Sequence, residues 1–480
     1  MDDSNIKRIE SDFQKITKLT HDDTRELIKN LSDEAFDTQP MDYFLNVTTK
    51  FKALTLKTTN LEIFENNDST SLKNTVRSIG SGTYGETFLG SNSGRVFKRI
   101  SYEGDDLKKL NFQCRNILVE SFIQSVVSSD PVHSKHVCKI LQIFKEKNPS
   151  EDEIKMFDIT GSNRMYYVKL TTTMPLVFEK INNLFMYAGA KIRGIYLCEE
   201  KNTYLIRITA DIAEKTIDRI QEAKNKTDFL GNFTVETLPL GPYSYRNKSV
   251  SFYIELERLT ATFNDSLQND IAHKEKMFRI FYPVTIDCLT FTNKYIRPVA
   301  ETLQYFNDKY KFYHGDLHTQ NLMFVGDTIK IIDMGLACIQ YNDKRYSGDL
   351  ESGCRSSDLG IYLVSILEYY EKLLSPDTIK KLKSLLTINN RNIWNIVGDI
   401  QAKFNDTRTP DKHIVKFHIM YPWTDPWSTR WIDKEIIYLI LDITPDYIME
   451  KLDTVKKFGI AGTGGSRHNR KHRRNRTRKA

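Results

Sequence analysis

The chain has 480 residues, 40% of them hydrophobic, which is enough for two or three lobes with hydrophobic cores. No apolar run approaches the roughly 18–20 residues of a membrane span, and the acidic N-terminus, Met1–Asn5, lacks the apolar region of a secretory signal. The net charge of +7 is concentrated in residues 466–480, which hold eight Lys or Arg and no acid. These features predict a protein without a membrane span that is not secreted and lies in the cytoplasm or nucleus.

The cysteines give no sign of a metal site or a redox motif, because none of them forms a C-x-x-C pair. Without a signal peptide, we expect free thiols in a reducing compartment. The six cysteines are Cys114, Cys138, Cys198, Cys288, Cys338 and Cys354.

Residues 1–75 are predicted to form a helical extension. Apolar residues recur at helical spacing between Asn5 and Ile16, and His21–Leu31 is a second predicted helix. The extension carries no catalytic motif, so packing against the main domain is favoured over an independent function.

A glycine-rich segment follows, with the pattern G-x-G-x-x-G at Gly80, Gly82 and Gly85. Glycines allow a tight turn and a close approach of the backbone to phosphates. A strand-like run comes next, whereas a Rossmann motif would need a helix there. The pattern favours a β-hairpin that covers a nucleotide, with Ser81 and Thr83 contributing to the binding loop.

Lys98 lies on the strand-like run Arg95–Ile100, after a polar turn. A lysine on a strand is usually a solvated charge, but after a glycine loop it can contact the α- and β-phosphates of a nucleotide. The predicted helix Leu110–Ser128 contains Glu120. A buried Glu120 would pair with Lys98 and fix its ammonium group, and the alternative is a glutamate that faces solvent.

Residues 150–248 are predicted to form an α+β insertion without a catalytic motif. A strand is expected at 165–173, a hairpin at 195–208 and an amphipathic helix at 211–224. The insertion could recognise a partner or only enlarge the lobe, and the sequence leaves both possibilities open.

The run Val250–Leu259 reads as a buried strand that leads into a connector. We expect this connector, with Glu257 and Leu259, to be the hinge whose backbone hydrogen-bonds adenine. The run Met165–Met174 is a weaker candidate for the same role. A strong predicted helix, Ile286–Lys311, then leads the chain to its principal motifs.

Two acidic motifs follow this helix. The first reads H-x-D-L-x-x-x-N from His314 to Asn321, and the second reads D-x-G from Asp333. Asp316 could take the proton of an attacking hydroxyl, and Asn321 and Asp333 could hold metal ions that bridge the phosphates of ATP. A β-hairpin between the motifs would bring the three side chains to one cleft, with Met323 beside the nucleotide.

Asp358 begins a hydrophobic helix, and it could cap backbone donors of the catalytic loop or be a plain acid at a helix N-terminus. Residues 376–458 read as mainly helical, with tryptophans that serve packing. The basic tail Arg467–Lys479 follows a glycine-rich linker and is predicted to be disordered. It could contact nucleic acid or another polyanion in a salt-sensitive way, act as a nuclear localisation signal, or only aid solubility.

In this order and spacing, the residues resemble those of the eukaryotic-type Ser/Thr protein kinase superfamily. The resemblance covers residues 76–375 apart from the insertion, and it implies a bilobal α+β kinase-like fold. The implied domains are a helical extension at 1–75, a small β-rich N-lobe with one helix at 76–260, a larger helical C-lobe at 261–458 and a disordered tail at 459–480.

The resemblance further implies ATP and Mg²⁺ as cofactors and a protein as substrate. Asp316 would be the catalytic base, Asn321 and Asp333 the magnesium ligands, and Lys98 with Glu120 the ion pair that positions the phosphates. The expected function is transfer of the γ-phosphate of ATP to a protein Ser or Thr hydroxyl. A small-molecule phosphotransferase and a pseudokinase that only binds partners are the alternatives.

The chain also departs from the kinase pattern. Gly315 stands where an arginine usually pairs with a phosphorylated activation loop, so activity is predicted not to need that phosphorylation. His318 replaces the usual lysine, as in aminoglycoside kinases, and is counted among the catalytic candidates. The segment between Asp333 and Asp358 is short and lacks an A-P-E sequence. The combination also resembles divergent kinases of large DNA viruses, which would place the protein in a host cell or virion.

Overall fold

The computed structural model describes residues 3–54, 63–64, 75–76, 78–82, 85–90, 94–146, 152–159, 165–210, 213–224, 232–238, 241–278, 285–348, 357–396 and 442–461. These residues form a mixed α+β structure, as the sequence predicted. The chain divides into two compact units, Met1–Arg258 with Met334–Leu350, and Leu259–Asp333 with Glu351–Ala480. Within the described ranges, no helix has both the length and the apolar character to cross a membrane.

The helices and strands are numbered here in chain order. The α-helices are α1 (Asp3–Thr17), α2 (His21–Leu31), α3 (Tyr43–Thr48), α4 (Leu107–Ser128), α5 (Phe178–Tyr187), α6 (Ala213–Lys224), α7 (Phe263–Phe278), α8 (Cys288–Phe291), α9 (Arg297–Tyr310), α10 (Asp358–Tyr370), α11 (Pro376–Leu385) and α12 (Pro445–Ala461). The strands are β1 (Ala53–Leu54), β2 (Ile63–Phe64), β3 (Thr75–Val76), β4 (Ser78–Gly82), β5 (Gly85–Leu89), β6 (Arg95–Gly104), β7 (Ile140–Glu146), β8 (Asp152–Ile159), β9 (Met165–Thr172), β10 (Ala190–Leu197), β11 (Thr203–Ala210), β12 (Phe233–Thr237), β13 (Gly241–Glu257), β14 (Ala261–Thr262), β15 (Leu322–Val325), β16 (Thr328–Ile331), β17 (Cys338–Tyr341), β18 (Lys344–Ser347), β19 (Thr387–Ile388) and β20 (Arg391–Asn392). Short 3-10 helices lie at Asp33–Thr38, Ser134–His136, Thr319–Asn321 and Glu371–Leu373, and a π-helical turn at Thr292–Ile296 joins α8 to α9.

The first unit is built on a sheet with the order β12-β9-β11-β10-β13-β6-β5-β4. The long strand β13 connects its two parts. The first half of β13 pairs with β8, and the second half pairs with β6 and β7. The strand therefore runs from the insertion to the part of the sheet that carries Lys98.

The insertion has the element order β9-α5-β10-β11-α6-β12 and the strand order β12-β9-β11-β10. This is the topology of a ferredoxin-like β-α-β-β-α-β unit. Ile181 and Phe185 of α5 and Ile220 of α6 are buried in it. The predicted strand, hairpin and second helix are confirmed, whereas α5 and β12 were missed. Helix α5 has ten residues and only three buried apolar ones, which is a weak periodic signal.

Helix α4 is the centre of the first unit. Every residue from Ile117 to Ser128 is buried, and the helix packs against α1, α2, α3, β6, β7, β10 and β18. Phe122 of α4 meets Phe13 of α1 edge to face, with ring centroids 5.1 Å apart. The predicted helical extension therefore exists and packs on the main body.

The second unit contains a continuous helical run from α8 through α9, close to the predicted helix 286–311. An aromatic cluster lies in its core, where Tyr295 contacts Phe263 at 5.1 Å and Phe324 at 5.5 Å between ring centroids. Three of the predicted packing tryptophans and the basic tail Arg467–Lys479 lie outside the described residues. Their predicted roles stay predictions.

Two expectations differ from the structure. Residues 334–350, predicted from sequence to be part of the second lobe, belong to the first unit, because their hairpin packs on α4.

Cys114, Cys138, Cys198 and Cys288 are free thiols as expected. The expectation is wrong for Cys338, which is disulfide-bonded. Pairing depends on proximity in space, which the spacing of cysteines along the chain does not reveal.

Candidate active site

Asp358 organises the catalytic loop of the second unit from the first turn of α10. Its carboxylate accepts two backbone hydrogen bonds, from His314 N at 2.7 Å and from Gly315 N at 3.0 Å. The side chain is buried, so removing the carboxylate would leave both N–H groups without this partner. Of the two roles that the sequence left open for Asp358, capping of the catalytic loop is the observed one.

Gly315 adopts a left-handed backbone conformation, with φ of +80°. Glycine reaches this region without the steric penalty that a Cβ atom brings. The same conformation directs the Gly315 N–H to the Asp358 carboxylate. The loop geometry therefore gives a physical reason for glycine, and not arginine, at this position.

His314 is fully buried and joins the two acidic motifs. Its Nδ1 accepts a hydrogen bond from Asp316 N at 3.2 Å, so the neutral ring carries its proton on Nε2. Nε2 then donates to the carbonyl oxygen of Ile332 at 2.9 Å. Ile332 N in turn donates to the carbonyl oxygen of Asn321 at 3.0 Å. These bonds fix the residue before Asp333 against the loop that carries Asp316.

Asp316, His318 and Asn321 meet at this loop. Asn321 Nδ2 donates to the Asp316 carbonyl oxygen at 2.8 Å and to Asp316 Oδ2 at 3.3 Å. His318 Nδ1 accepts from Gln320 N at 3.2 Å, so a neutral His318 carries its proton on Nε2. That nitrogen lies 3.5 Å from Asp316 Oδ1. Each carboxylate oxygen of Asp316 thus has a donor nearby, which orients the group.

The predicted hairpin between the motifs is confirmed as β15 and β16. Gly326, with φ of +58°, makes its turn, and Met323 lies half-buried on β15 between Thr262 and Lys330. Asp333 follows the hairpin with φ of +61°, which is unusual for a residue with a side chain.

Helix α10 supports the loop at a second point. Ser365 Oγ accepts from Thr319 N at 3.1 Å and donates to the carbonyl oxygen of Tyr362 at 2.8 Å. Tyr362 in turn donates to the carbonyl oxygen of Tyr295 at 2.8 Å. Burial raises the pKa of both tyrosines, so they stay neutral. The role of Ser365 is not predictable from the sequence, because nothing in a hydrophobic helix marks one serine as a loop anchor.

In the first unit, Lys98 Nζ lies 2.9 Å from Glu120 Oε1. Lys98 is on β6, paired with Thr87 of β5 on one side and Ile254 of β13 on the other. The two charged side chains are only 15% and 9% exposed. The ion pair expected from the sequence is therefore present, and the solvent-facing alternative for Glu120 is wrong.

The glycine-rich segment forms the predicted hairpin of β4 and β5, with Gly82 opposite Gly85. Gly80 and Ser81 lie on β4, and a strand follows the turn, as predicted. Thr83 lies outside the described residues. Binding of phosphates by this hairpin stays a prediction.

Glu257 ends β13, and the chain enters the second unit after Arg258. Glu257 N donates to the carbonyl oxygen of Lys139 at 3.0 Å, so this amide already serves the sheet. The predicted backbone contacts of Glu257 and Leu259 with adenine stay predictions, and for Glu257 the carbonyl oxygen is the group that would serve. The weaker hinge candidate, Met165–Met174, is in the wrong place, because β9 lies inside the insertion between β12 and β11.

Asn321 and Asp333 are the predicted metal ligands, and they would offer an amide oxygen and a carboxylate to a cation. Because Asn321 Nδ2 bonds to Asp316, its Oδ1 is the atom that can face a metal ion. Magnesium keeps several waters and is usually held by one or two carboxylates together with substrate phosphates. No group of three or more His, Cys, Asp or Glu suited to a metal occurs in the described part of the chain. An amide and a carboxylate match the few protein ligands that such a magnesium ion would take, and its binding here stays a prediction.

Comparison of the chain with models of protein families gave no match, and comparison with curated proteins gave none either. Function is therefore inferred from the residues themselves. The glycine hairpin, Lys98 and Glu120 belong to the first unit, and Asp316, Asn321 and Asp333 belong to the second.

Proposed function

We propose that the chain is an ATP- and magnesium-dependent phosphotransferase of the protein kinase type, with a protein Ser or Thr hydroxyl as the favoured acceptor. The observation that carries the proposal is the hydrogen-bond path through His314. This path ties the loop with Asp316 and Asn321 to the strand end before Asp333. A base and two metal-ligand residues on one braced scaffold are what phosphoryl transfer requires of a protein.

Asp316 is assigned as the group that accepts the proton of the attacking hydroxyl. The hydroxyl oxygen forms a bond to the γ-phosphorus, the bond from that phosphorus to the β–γ bridging oxygen breaks, and ADP leaves. Magnesium would neutralise charge on the phosphates, held by Asn321 and Asp333. Most of the rate enhancement comes from positioning and charge, so the bonds that orient Asp316 matter as much as its basicity.

Lys98 is assigned to the α- and β-phosphates of ATP, and Glu120 is assigned to hold its ammonium group. The 2.9 Å contact between the two side chains supports this assignment, because Lys98 is held on a central strand by a buried partner. The glycine hairpin would cover the phosphates. A bilobal kinase-like fold is part of the same proposal.

A small-molecule hydroxyl is the second candidate acceptor. His318 beside Asp316 favours it, because aminoglycoside kinases, which this motif resembles, have histidine there. The short stretch after Asp333 favours it too, since that stretch is where protein kinases build their peptide platform.

A phosphate-transfer assay of the full chain with labelled ATP and magnesium distinguishes these candidate functions. Generic proteins are offered as acceptors in one series, and small alcohols and amines in another. Transfer to Ser or Thr of a protein supports the favoured function, and transfer only to small hydroxyls supports the second. If no acceptor gains label, a pseudokinase that binds partners is the correct class.

A further inference from the structure

A buried carboxylate, Asp33, gathers three distant segments of the first unit. It begins the 3-10 helix after α2, and its side chain is 5% exposed. Oδ1 accepts from Arg115 at 2.6 Å and from Ser347 N at 3.0 Å. Oδ2 accepts from Ser347 Oγ at 2.9 Å and from Arg345 Nε. We call these four residues the Asp33 cluster.

Arg115 connects this cluster to the helix of Glu120. Its side chain on α4 is fully buried, and it also donates to the carbonyl oxygens of Leu31 at 2.8 Å and Ser347 at 3.0 Å. Burial lowers the pKa of Arg115 and the Asp33 carboxylate opposes this, so the guanidinium stays charged. Glu120 lies five residues further on, about 7–8 Å along the helix axis. Arg115 and Glu120 therefore belong to one helix, so a shift of α4 at Arg115 would also move Glu120 relative to Lys98.

The cluster also holds the hairpin of β17 and β18, which begins just after the D-x-G motif. The hairpin closes back on that motif at Gly348, whose N–H donates to the carbonyl oxygen of Ala337 at 3.0 Å. A Cβ atom added to Gly348 would lie only 2.0 Å from the carbonyl oxygen of Gly335. The hairpin thus fixes the chain two residues after Asp333.

Aromatic packing joins the same three segments. The ring of Phe122 on α4 lies 5.5 Å from Tyr341 and 5.0 Å from Tyr346, measured between centroids. The Phe122 ring also contacts the ring of Phe13 in the N-terminal extension. The extension, the Glu120 helix and the hairpin are therefore one packed body around Phe122.

In protein kinases, the segment after D-x-G is generally ordered when a phosphate on it pairs with arginines, and this ordering accompanies correct placement of the Lys–Glu pair. Here the Asp33 carboxylate already receives two arginines, one from the helix and one from the hairpin. We propose that Asp33 is a positioning residue that takes the place of such a phosphate. It keeps the hairpin on α4, and so keeps Glu120 and the chain after Asp333 in working geometry without modification. This inference rests on the proposed function.

Asp33→Asn is the most direct perturbation, because it preserves size but turns an amide NH₂ toward donors of Arg345 or Ser347. Asp23→Asn is the matched control, since it removes a partly exposed carboxylate of the same extension that pairs with Lys50 at 2.7 Å. Ile220→Ala is a second control. It destabilises the buried core of the insertion at α6, an element that carries no member of the Asp33 cluster.

Two readouts on the full chain are compared at a temperature where all variants are folded. Amide hydrogen exchange reports on residues 338–347, and initial rates report kcat and KM for ATP. We expect Asp33→Asn to exchange at least about tenfold faster in this hairpin than the wild type. We expect its kcat/KM for ATP to fall on the order of 100-fold, because misplacement of about 1 Å has an effect of that size. Both controls should match the wild type in both readouts.

Wild-type exchange at 338–347 in Asp33→Asn would overturn the claim that Asp33 holds the hairpin. A loosened hairpin with unchanged kcat/KM would overturn the positioning role, as would an equal loss of kcat/KM in Ile220→Ala. If the wild type transfers no phosphate to any acceptor, the proposed function fails and the positioning role fails with it. Hydrogen exchange would then still decide whether Asp33 holds the hairpin.

Discussion

Replacing Asp358 with alanine should release the catalytic loop from α10. The variant loses a buried carboxylate that accepts the N–H groups of His314 at 2.7 Å and Gly315 at 3.0 Å. Both groups lie in a loop whose histidine is fully buried, so water replaces the lost acceptor poorly. The loss is therefore larger than for an exposed acid at a helix N-terminus.

The magnitude follows from the two bonds. Each hydrogen bond from a backbone N–H to a charged group contributes about 1.5–3 kcal/mol, and neighbouring bonds are not fully additive. Asp358→Ala should therefore lower the free energy of unfolding by about 3–5 kcal/mol. Asp358→Asn keeps one acceptor oxygen and should lose about half of that. For a unit of 150–250 residues, the full loss corresponds to a decrease of about 10 °C in melting temperature.

Thermal unfolding of the full chain followed by circular dichroism measures this effect. Asp377→Ala is the matched control, because Asp377 is an exposed acid in the first turn of α11 in the same unit. It should change stability by less than about 0.5 kcal/mol. A melting temperature for Asp358→Ala equal to that of this control would refute the capping argument.

Three further predictions concern the first unit and the regulation of activity. Lys98→Met, which removes the ammonium group, and Glu120→Gln, which removes the carboxylate that fixes it, should each lower kcat/KM for ATP by about 100-fold in steady-state assays. Lys155→Met, which removes a lysine paired with a largely exposed glutamate, should leave kcat/KM unchanged. Phosphatase treatment of the purified protein should leave the transfer rate unchanged, because the catalytic loop has no arginine between its histidine and aspartate to receive a phosphate; a loss of activity would contradict this. Burial raises the pKa of the Cys114 thiol to about 12, above its unfolded value of about 8.5. The neutral buried thiol therefore contributes fully to stability below the unfolded pKa, and this contribution is lost as the pH rises toward 12. In urea unfolding between pH 9 and 10.5, the free energy of unfolding of the wild type should fall by up to about 1.4 kcal/mol per pH unit more steeply than that of Cys114→Val. Parallel pH profiles of the two proteins would disprove this prediction.

Much of the site could be predicted because its residues follow local patterns. The hairpin of β15 and β16 is a pair of apolar runs around Gly326, and α4 is a long apolar stretch that contains Glu120. Such signals need only short-range spacing along the chain. The pairing of Lys98 with Glu120 was predicted from their positions after the glycine loop, and the two atoms do meet.

The Asp33 cluster could not be predicted in the same way. Asp33 lies 82 residues from Arg115 and 314 residues from Ser347, and no local pattern relates them. The segment that contains Ser347 is short and polar and follows the D-x-G motif. Sequence order alone therefore predicts that it belongs to the second lobe. Its real neighbours are determined by aromatic packing on Phe122, which only the folded chain reveals. The ferredoxin-like topology of the insertion was hidden for a related reason, since strand order depends on long-range pairing.

The central claim is that Asp316 is the base of an ATP-dependent phosphotransferase. The most direct measurement compares γ-phosphate transfer from labelled ATP by the wild type, Asp316→Asn and Asp308→Asn, an exposed acid of α9. We expect the wild type and Asp308→Asn to transfer phosphate. The transfer rate of Asp316→Asn should be lower by about 10²- to 10⁴-fold, with an unchanged melting temperature. Undiminished transfer by Asp316→Asn, or no transfer by the wild type to any acceptor, would contradict it.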